Sequence, residues 1–141
     1  MRVGILGSGL MGGKLGTIFA RAGHQVVFSY SHTSSGAEEL ARRVPRARVV
    51  SAFNTVPSEV LFGVFEARRN ATRPSLVYCA DDSGSKGIAA ELIRDAGFDP
   101  VDAGPLRIAR YTEPFALLVG QLAYEGSGGP ELAYRFERFR K

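Results

Sequence analysis

The 141-residue chain has one cysteine, no tryptophan, two histidines and no long apolar run. A single cysteine, Cys79, excludes an internal disulfide framework and a thiolate metal cluster. It lies inside an apolar run, so a buried strand thiol is expected ahead of a nucleophile. No apolar stretch approaches the length of a membrane span, which excludes a transmembrane helix. Lysine is scarce beside arginine, and the formal net charge is +4. The basic residues are scattered, apart from Arg135, Arg138, Arg140 and Lys141 near the C-terminus. Without a basic run interleaved with aromatics, nucleic acid is not the expected partner; anionic small ligands suit the charge better. No aspartate or glutamate occurs before Glu38.

At 45% hydrophobic the chain can build a core, and its length suggests one domain. The first segment is the most informative. Arg2-Val3-Gly4-Ile5-Leu6 reads as a short strand, and Gly7-Ser8-Gly9-Leu10-Met11-Gly12 follows at once. G-x-G-x-x-G between a strand and a helix is a proposal about a ligand. Gly7 permits the tight turn, Gly9 lets a pyrophosphate approach the backbone, and Gly12 lets helix and strand pack closely. The N–H groups of the helix start then face the phosphates. This strand–turn–helix pattern also argues against reading the N-terminus as a signal peptide.

Strands and helices alternate along the rest. A helix is expected over Leu10–Ala22, a strand over Gln25–Phe28, and a helix starting at Ser34, where Ser35 and Glu38 have capping-box spacing. A third strand covers Val49–Phe53, and a helix entered through Pro57 runs to Asn70. A fourth strand covers Leu76–Ala80. Asp81 and Asp82 read as helix-capping carboxylates before a helix over Ser83–Ala96. Asp99–Asp102 is a short strand whose Pro100 suggests an edge. Leu106–Tyr124 is largely helical, with Pro114 expected to break it, and a short helical tail follows. Tyr134, Phe136 and Phe139 in that tail suggest docking onto a neighbour. Tyr111, Phe115 and Tyr124 read as core or dimer contacts. Lys14 and Lys86 are expected to be peripheral, Lys14 facing solvent. The pattern predicts an α/β fold with a parallel sheet of about five strands and helices on both faces.

In an NAD site of this type an acidic residue ends the second strand and binds the ribose hydroxyls. Here Ser29, Tyr30, Ser31 and His32 occupy that region. Small hydroxyls and a histidine tolerate a 2′-phosphate where a carboxylate repels it, so NADP is the expected nucleotide.

Several stretches beyond the fingerprint resemble one family. They are Gly4–Gly9, Thr33–Ala41, Ala52-Phe53-Asn54-Thr55-Val56-Pro57, Val77–Asp82 and Gly97–Leu106. The chain resembles the NADPH-dependent reductases of the deazaflavin coenzyme F420, which have an NADP-binding Rossmann domain. That resemblance implies hydride transfer between NADPH and coenzyme F420, with no catalytic acid, base or metal, because the two rings carry the chemistry. It places Gly7, Ser8, Gly9, Leu10 and Met11 at the pyrophosphate, and Ser29, Tyr30 and Ser31 at the adenosine ribose and its phosphate. Phe53, Asn54 and Thr55 fall near the nicotinamide, and Asp102-Ala103-Gly104-Pro105-Leu106 near the deazaflavin. It also implies an internal deletion near Ser31/His32. Residues 1–31 match the fingerprint half of the family, and residues 32–141 its C-terminal part. The five remaining strands are expected to close in 2-1-3-4-5 order with strand three beside strand one; two sub-clusters are the alternative. A cytoplasmic, single-domain oxidoreductase that pairs as a homodimer is the leading expectation. Two others stand beside it: a non-catalytic remnant that binds nucleotide weakly or acts through oligomerisation, and another NADP-dependent reductase acting on an imine or keto acid.

Overall fold

The computed structural model describes residues 1–6, 10–29, 42 and 48–139. Strand β1 (Arg2–Leu6) pairs in parallel with β2 (Gln25–Ser29), with Val3 opposite Val26. Helix α1 (Leu10–Arg21) connects them. Leu15, Ile18 and Phe19 are its buried large residues. Their i, i+3, i+4 spacing places them on one face. Gly23 stops the helix at φ 90, and the N–H of His24 reaches the Phe19 carbonyl at 2.9 Å while that of Gly23 reaches Ala20 at 3.0 Å. This pair of bonds is the left-handed C-terminal cap that glycine favours.

The second half is built around β4 (Ser75–Ala80), all six residues of which are buried. β5 (Asp99–Asp102) runs parallel to it, with Leu76 opposite Pro100. Pro100 sits on an edge strand, where a missing N–H is tolerated. Helix α3 (Ser83–Asp95) joins β4 to β5, after the earlier and shorter α2 (Val60–Glu66). Gly97 closes α3 at φ 98, and a Cβ there would lie 2.5 Å from the Val64 carbonyl. Glycine at this point therefore lets the end of α3 approach α2.

The expected 2-1-3-4-5 parallel sheet does not form. β3 (Val50–Ala52) pairs with β4, antiparallel, with Val50 opposite Ala80 and Ala52 opposite Tyr78. The described strands make a two-stranded sheet, β1-β2, and a three-stranded sheet, β3-β4-β5. β4 is buried throughout and takes the central place; β3, only three residues long, covers its other edge. The antiparallel direction carries the chain at Phe53 inward between the two sheets. One core spans both: Val3, Ile18 and Phe19 share it with Phe53, Leu61, Phe65, Leu76, Ile93 and Phe98. His24 Nε2 also meets Asp95 Oδ2 at 2.8 Å, tying the entrance of β2 to α3.

Helix α4 (Ala109–Tyr124) follows a 3-10 turn at Leu106–Ile108. Pro114 lies inside it and does not break it. Burial of Ala109, Thr112, Val119 and Ala123 on both sides of the proline holds the helix together, as packing outweighs local propensity. The opposite face exposes Tyr111, Leu117, Leu118 and Leu122. The tail is not helical. It crosses the edge of its own domain: Ser75 N–H donates to the Tyr134 carbonyl at 2.8 Å, and Phe136 N–H to Ser75 Oγ at 2.9 Å. Tyr134 and Phe136 pack against Phe115, with ring centroids 5.0 and 6.2 Å away. Spacing of i, i+2 brings two rings to one face of a non-helical chain, whereas a helix would part them. Tyr134 thus docks within the chain rather than onto a neighbour, while Phe139 is exposed. The first α-helical turn expected from Ser34, its Ser35/Glu38 capping pair and the Ser31/His32 junction lie outside the described residues.

Cys79 is fully buried, its Sγ 3.8 Å from the Leu106 carbonyl, and burial pushes its thiol up. That is a packed strand residue, not an activated nucleophile. Asp82 caps α3 as expected: its carboxylate accepts from Ser85 Oγ at 2.8 Å and Ser85 N–H at 2.7 Å, and meets Arg48 at 2.7 Å. These partners, the Ser85 hydroxyl foremost, lower its pKa from 3.8 to about 2. A lowered folded pKa means stabilisation that is complete above the ordinary value and lost as pH falls toward the folded one. Wild type should therefore lose stability between about pH 4 and pH 2. Asp82→Asn should be less stable at pH 7 and show a shallower acid limb in urea unfolding; an acid limb unchanged by the substitution would refute this role.

Candidate functional site

Three segments that are remote in sequence enclose a cleft of about 250 Å³. The start of α1 contributes Leu10 and Met11. The loop after β3 contributes Asn54, Thr55, Val56, Pro57 and Ser58, and α4 contributes Ala116, Val119, Gly120 and Tyr124. Ala116 and Gly120 are four apart on the same helical face, so a methyl group beside a residue without a side chain leaves room beside α1.

Phe53 sets the loop. Its φ is 66, the left-handed region, and it is the sole non-glycine with positive φ among the described residues. Holding a side-chain residue there costs roughly 1–2 kcal/mol. The ring is buried, edge-on to Phe19 at 5.8 Å and to Phe98 at 6.4 Å. Losing a buried phenylalanine costs about 3–5 kcal/mol, so packing outweighs the backbone strain. With Phe53 turned into the core, the next two residues reach the cleft. Asn54 Nδ2 lies 3.5 Å from Thr112 Oγ1, a long contact with α4.

A polar chain borders the cleft. Lys14 Nζ donates to the Ser58 carbonyl at 3.0 Å and lies 3.4 Å from Ser58 Oγ. Lys14 is therefore a partly buried tie between α1 and the loop, not the solvent-facing residue expected. Ser58 Oγ donates to Glu59 Oε2 at 3.3 Å, and the Tyr124 hydroxyl donates to the same oxygen at 2.9 Å. Above all, the Tyr124 hydroxyl holds the Glu59 carboxyl below its usual range; in return Glu59 pushes the tyrosine up.

Of the site residues expected from sequence, Leu10, Met11, Asn54 and Thr55 meet in this cleft. Gly12 lies in the first turn of α1 and Phe53 in the core. Ser29 is the last residue of β2. Gly7, Ser8, Gly9, Tyr30 and Ser31 lie outside the described residues. The Asp102–Leu106 segment does not line the cleft: Asp102 pairs with Lys86 at 2.9 Å, and Leu106 packs on Cys79. Asp81 accepts the Leu106 N–H at 2.8 Å, which makes it structural like Asp82. Lys14, Ser58, Tyr124 and the α4 face were not foreseen as parts of the site. The Ala116/Gly120 spacing was the available signal.

Replacing the hydroxyl that charges this border has a definite consequence. In Tyr124→Phe, the Glu59 carboxyl should titrate closer to its ordinary 4.5 than in wild type, as followed by carboxyl NMR across pH 2.5–6.5. An unchanged Glu59 titration would mean the hydroxyl does not act on it.

Comparison with known proteins sets this geometry in a family. The chain is 36% identical to the metalloreductase STEAP3 of Rattus norvegicus over 86 residues, which is 61% of this chain and 17% of that protein. It therefore spans about a sixth of that relative's length. A crystal structure from Arthrobacter sp. FB24, of a protein proposed to be an F420-dependent NADP reductase, superposes with a TM-score of 0.79 at 16% identity, covering 96% of this chain and 98% of that one. A hypothetical protein of Sinorhizobium meliloti superposes with a TM-score of 0.54 at 18% identity, covering 95% of each chain. At such identities these superpositions establish the fold alone. The family model of the Rossmann-like domain matches residues 1–89, from β1 through the cleft loop and β4 into α3. The chain belongs to the Rossmann-like domain family.

Proposed function

We propose that this domain binds NADP(H) across the cleft and supports hydride transfer between it and the deazaflavin coenzyme F420. The observation that carries the reading is the meeting of Leu10 and Met11, at the fingerprint helix, with Asn54 and Thr55. The resemblance assigns the first pair to the pyrophosphate and the second to the nicotinamide of one dinucleotide. Leu10, Met11 and Val119 offer apolar walls to a flat ring, and Asn54, Ser58 and Tyr124 offer polar groups to its substituents. A cleft of about 250 Å³ suits the ring end of a dinucleotide rather than the whole molecule. The phosphates would then run toward the N–H groups at the start of α1. The hydroxyl-rich end of β2, free of carboxylates before Glu38, favours NADP over NAD. The named similar proteins, a metalloreductase and a proposed F420-dependent NADP reductase, support a redox role.

When bound, the two rings supply the hydride donor and acceptor, and one solvent proton completes reduction of the deazaflavin. The protein orients the rings and keeps water from the apolar walls. A reductase of imines or keto acids would need a proton donor in the cleft. There Lys14 is engaged with Ser58, and Glu59 holds the Tyr124 proton more tightly than usual. A non-catalytic nucleotide-binding domain is the second reading. It is favoured by the split sheet: among the described residues β1 pairs with β2 alone, and β3 lies on β4 instead of beside the fingerprint strand.

Titration with NADPH, followed by an assay of oxidised F420 absorbance, separates these readings. Micromolar binding together with NADPH-dependent loss of absorbance is expected. Binding without transfer would favour the second reading, and no binding at millimolar NADPH would overturn both.

A further inference from the structure

The family model ends at residue 89, yet a tail residue reaches the floor of the cleft loop. Thr55 is completely buried, and its Oγ1 lies 2.6 Å from the phenolic oxygen of Tyr134, 79 residues away. The same oxygen accepts the Val77 N–H at 3.2 Å. One phenol thus joins the cleft loop to β4, the central strand.

The tail is fastened on both sides of this contact. Ser75 takes hold of the Tyr134 and Phe136 backbones, as described above. Arg135 donates to the Arg73 carbonyl at 3.0 Å and faces Asp99 at 3.7 Å. The Tyr134 ring is wedged against Phe115 and Phe136, with centroids at 5.0 and 5.3 Å. On the loop side, Thr55 follows two residues after Phe53, whose left-handed backbone persists only if its surroundings hold it. An anchor at Thr55 meets that need from outside the core.

We infer that Tyr134 is a positioning residue for the cleft: its hydroxyl fixes Thr55, and through Thr55 the Asn54 side of the nucleotide site. The inference rests on the cleft being the dinucleotide site. It assigns the tail a function that the Rossmann-like segment alone does not supply. Burial pushes the Tyr134 phenol up, so it stays neutral and keeps both bonds through the physiological range.

The test uses the full chain and four variants, with NADPH as the probe and urea unfolding in parallel. Tyr134→Phe keeps the ring packing and removes the hydroxyl; it should weaken NADPH binding roughly 3- to 10-fold at a temperature where the protein is fully folded. Thr55→Val should lose a similar factor, and Thr55→Ser, which keeps the hydroxyl, should restore wild-type affinity. The Tyr134→Phe/Thr55→Val double variant should be no weaker than either single one, since both remove the same bond. Wild-type affinity in Tyr134→Phe, or losses that multiply in the double variant, would overturn the proposal. Amide hydrogen exchange over residues 53–58 provides a readout independent of ligand. Exchange there should quicken in Tyr134→Phe while α3 is unchanged. If wild type binds no NADPH, the nucleotide reading fails. Unaltered exchange in the variant would sink the positioning role separately.

Discussion

The turn at Phe53 is the constraint on which the remaining structure depends. One residue is held in a left-handed backbone, and its ring fills the space between Phe19 of α1 and Phe98 at the entrance to β5. The first aromatic belongs to the β1-β2 half, the second to the β3-β4-β5 half. With the rest of the shared core, this ring joins two sheets that share no strand pairing among the described residues. The same turn decides where the next residues go. Because the ring points inward, Asn54 is delivered to the cleft and Thr55 to the partly buried phenol of Tyr134. Core packing and site geometry are one event in this chain, and the strain at Phe53 is tolerated because the packing it permits is worth more.

Two polar ties act in the same direction across the gap between the sheets. Lys14 holds α1 to the cleft loop through the Ser58 carbonyl, and His24 holds the start of β2 to Asp95 on α3. A parallel sheet fixes its layers through backbone bonds. Here side chains and a shared core do that work, and the cleft lies along the resulting seam. Its far wall, α4, is shaped by two small residues on one face, while the tail backs the loop from behind.

Much of the local structure was legible because local rules govern it. The Gly23 stop, the Asp82 cap, the Pro100 edge and buried Cys79 each follow from one residue's backbone or burial preference. Leu10, Met11, Asn54 and Thr55, which the resemblance singles out, line one cleft. What sequence did not reveal was non-local. A three-residue strand such as β3 has too little pattern to declare its partner or direction. Pro114 reads as a break unless the packing around it is known. Tyr134 and Phe136 read as a helical tail facing a neighbour until their i, i+2 spacing is seen against Phe115. Lys14 looks solvent-facing on α1 until the chain brings Ser58 to it.

In the proposed complex the nucleotide lies in the seam, against α1, the Asn54 loop and α4 at once. Side-chain NMR with NADPH added to labelled protein tests it most directly. The Met11 methyl, the Asn54 amide, the Ala116 methyl and the Val119 methyls should shift together and saturate along one binding curve. The methyls of Ile88 and Leu92 on α3, away from the cleft, should stay in place. Shifts centred on α3, or a saturating titration that leaves Asn54 and Val119 unmoved, would contradict it.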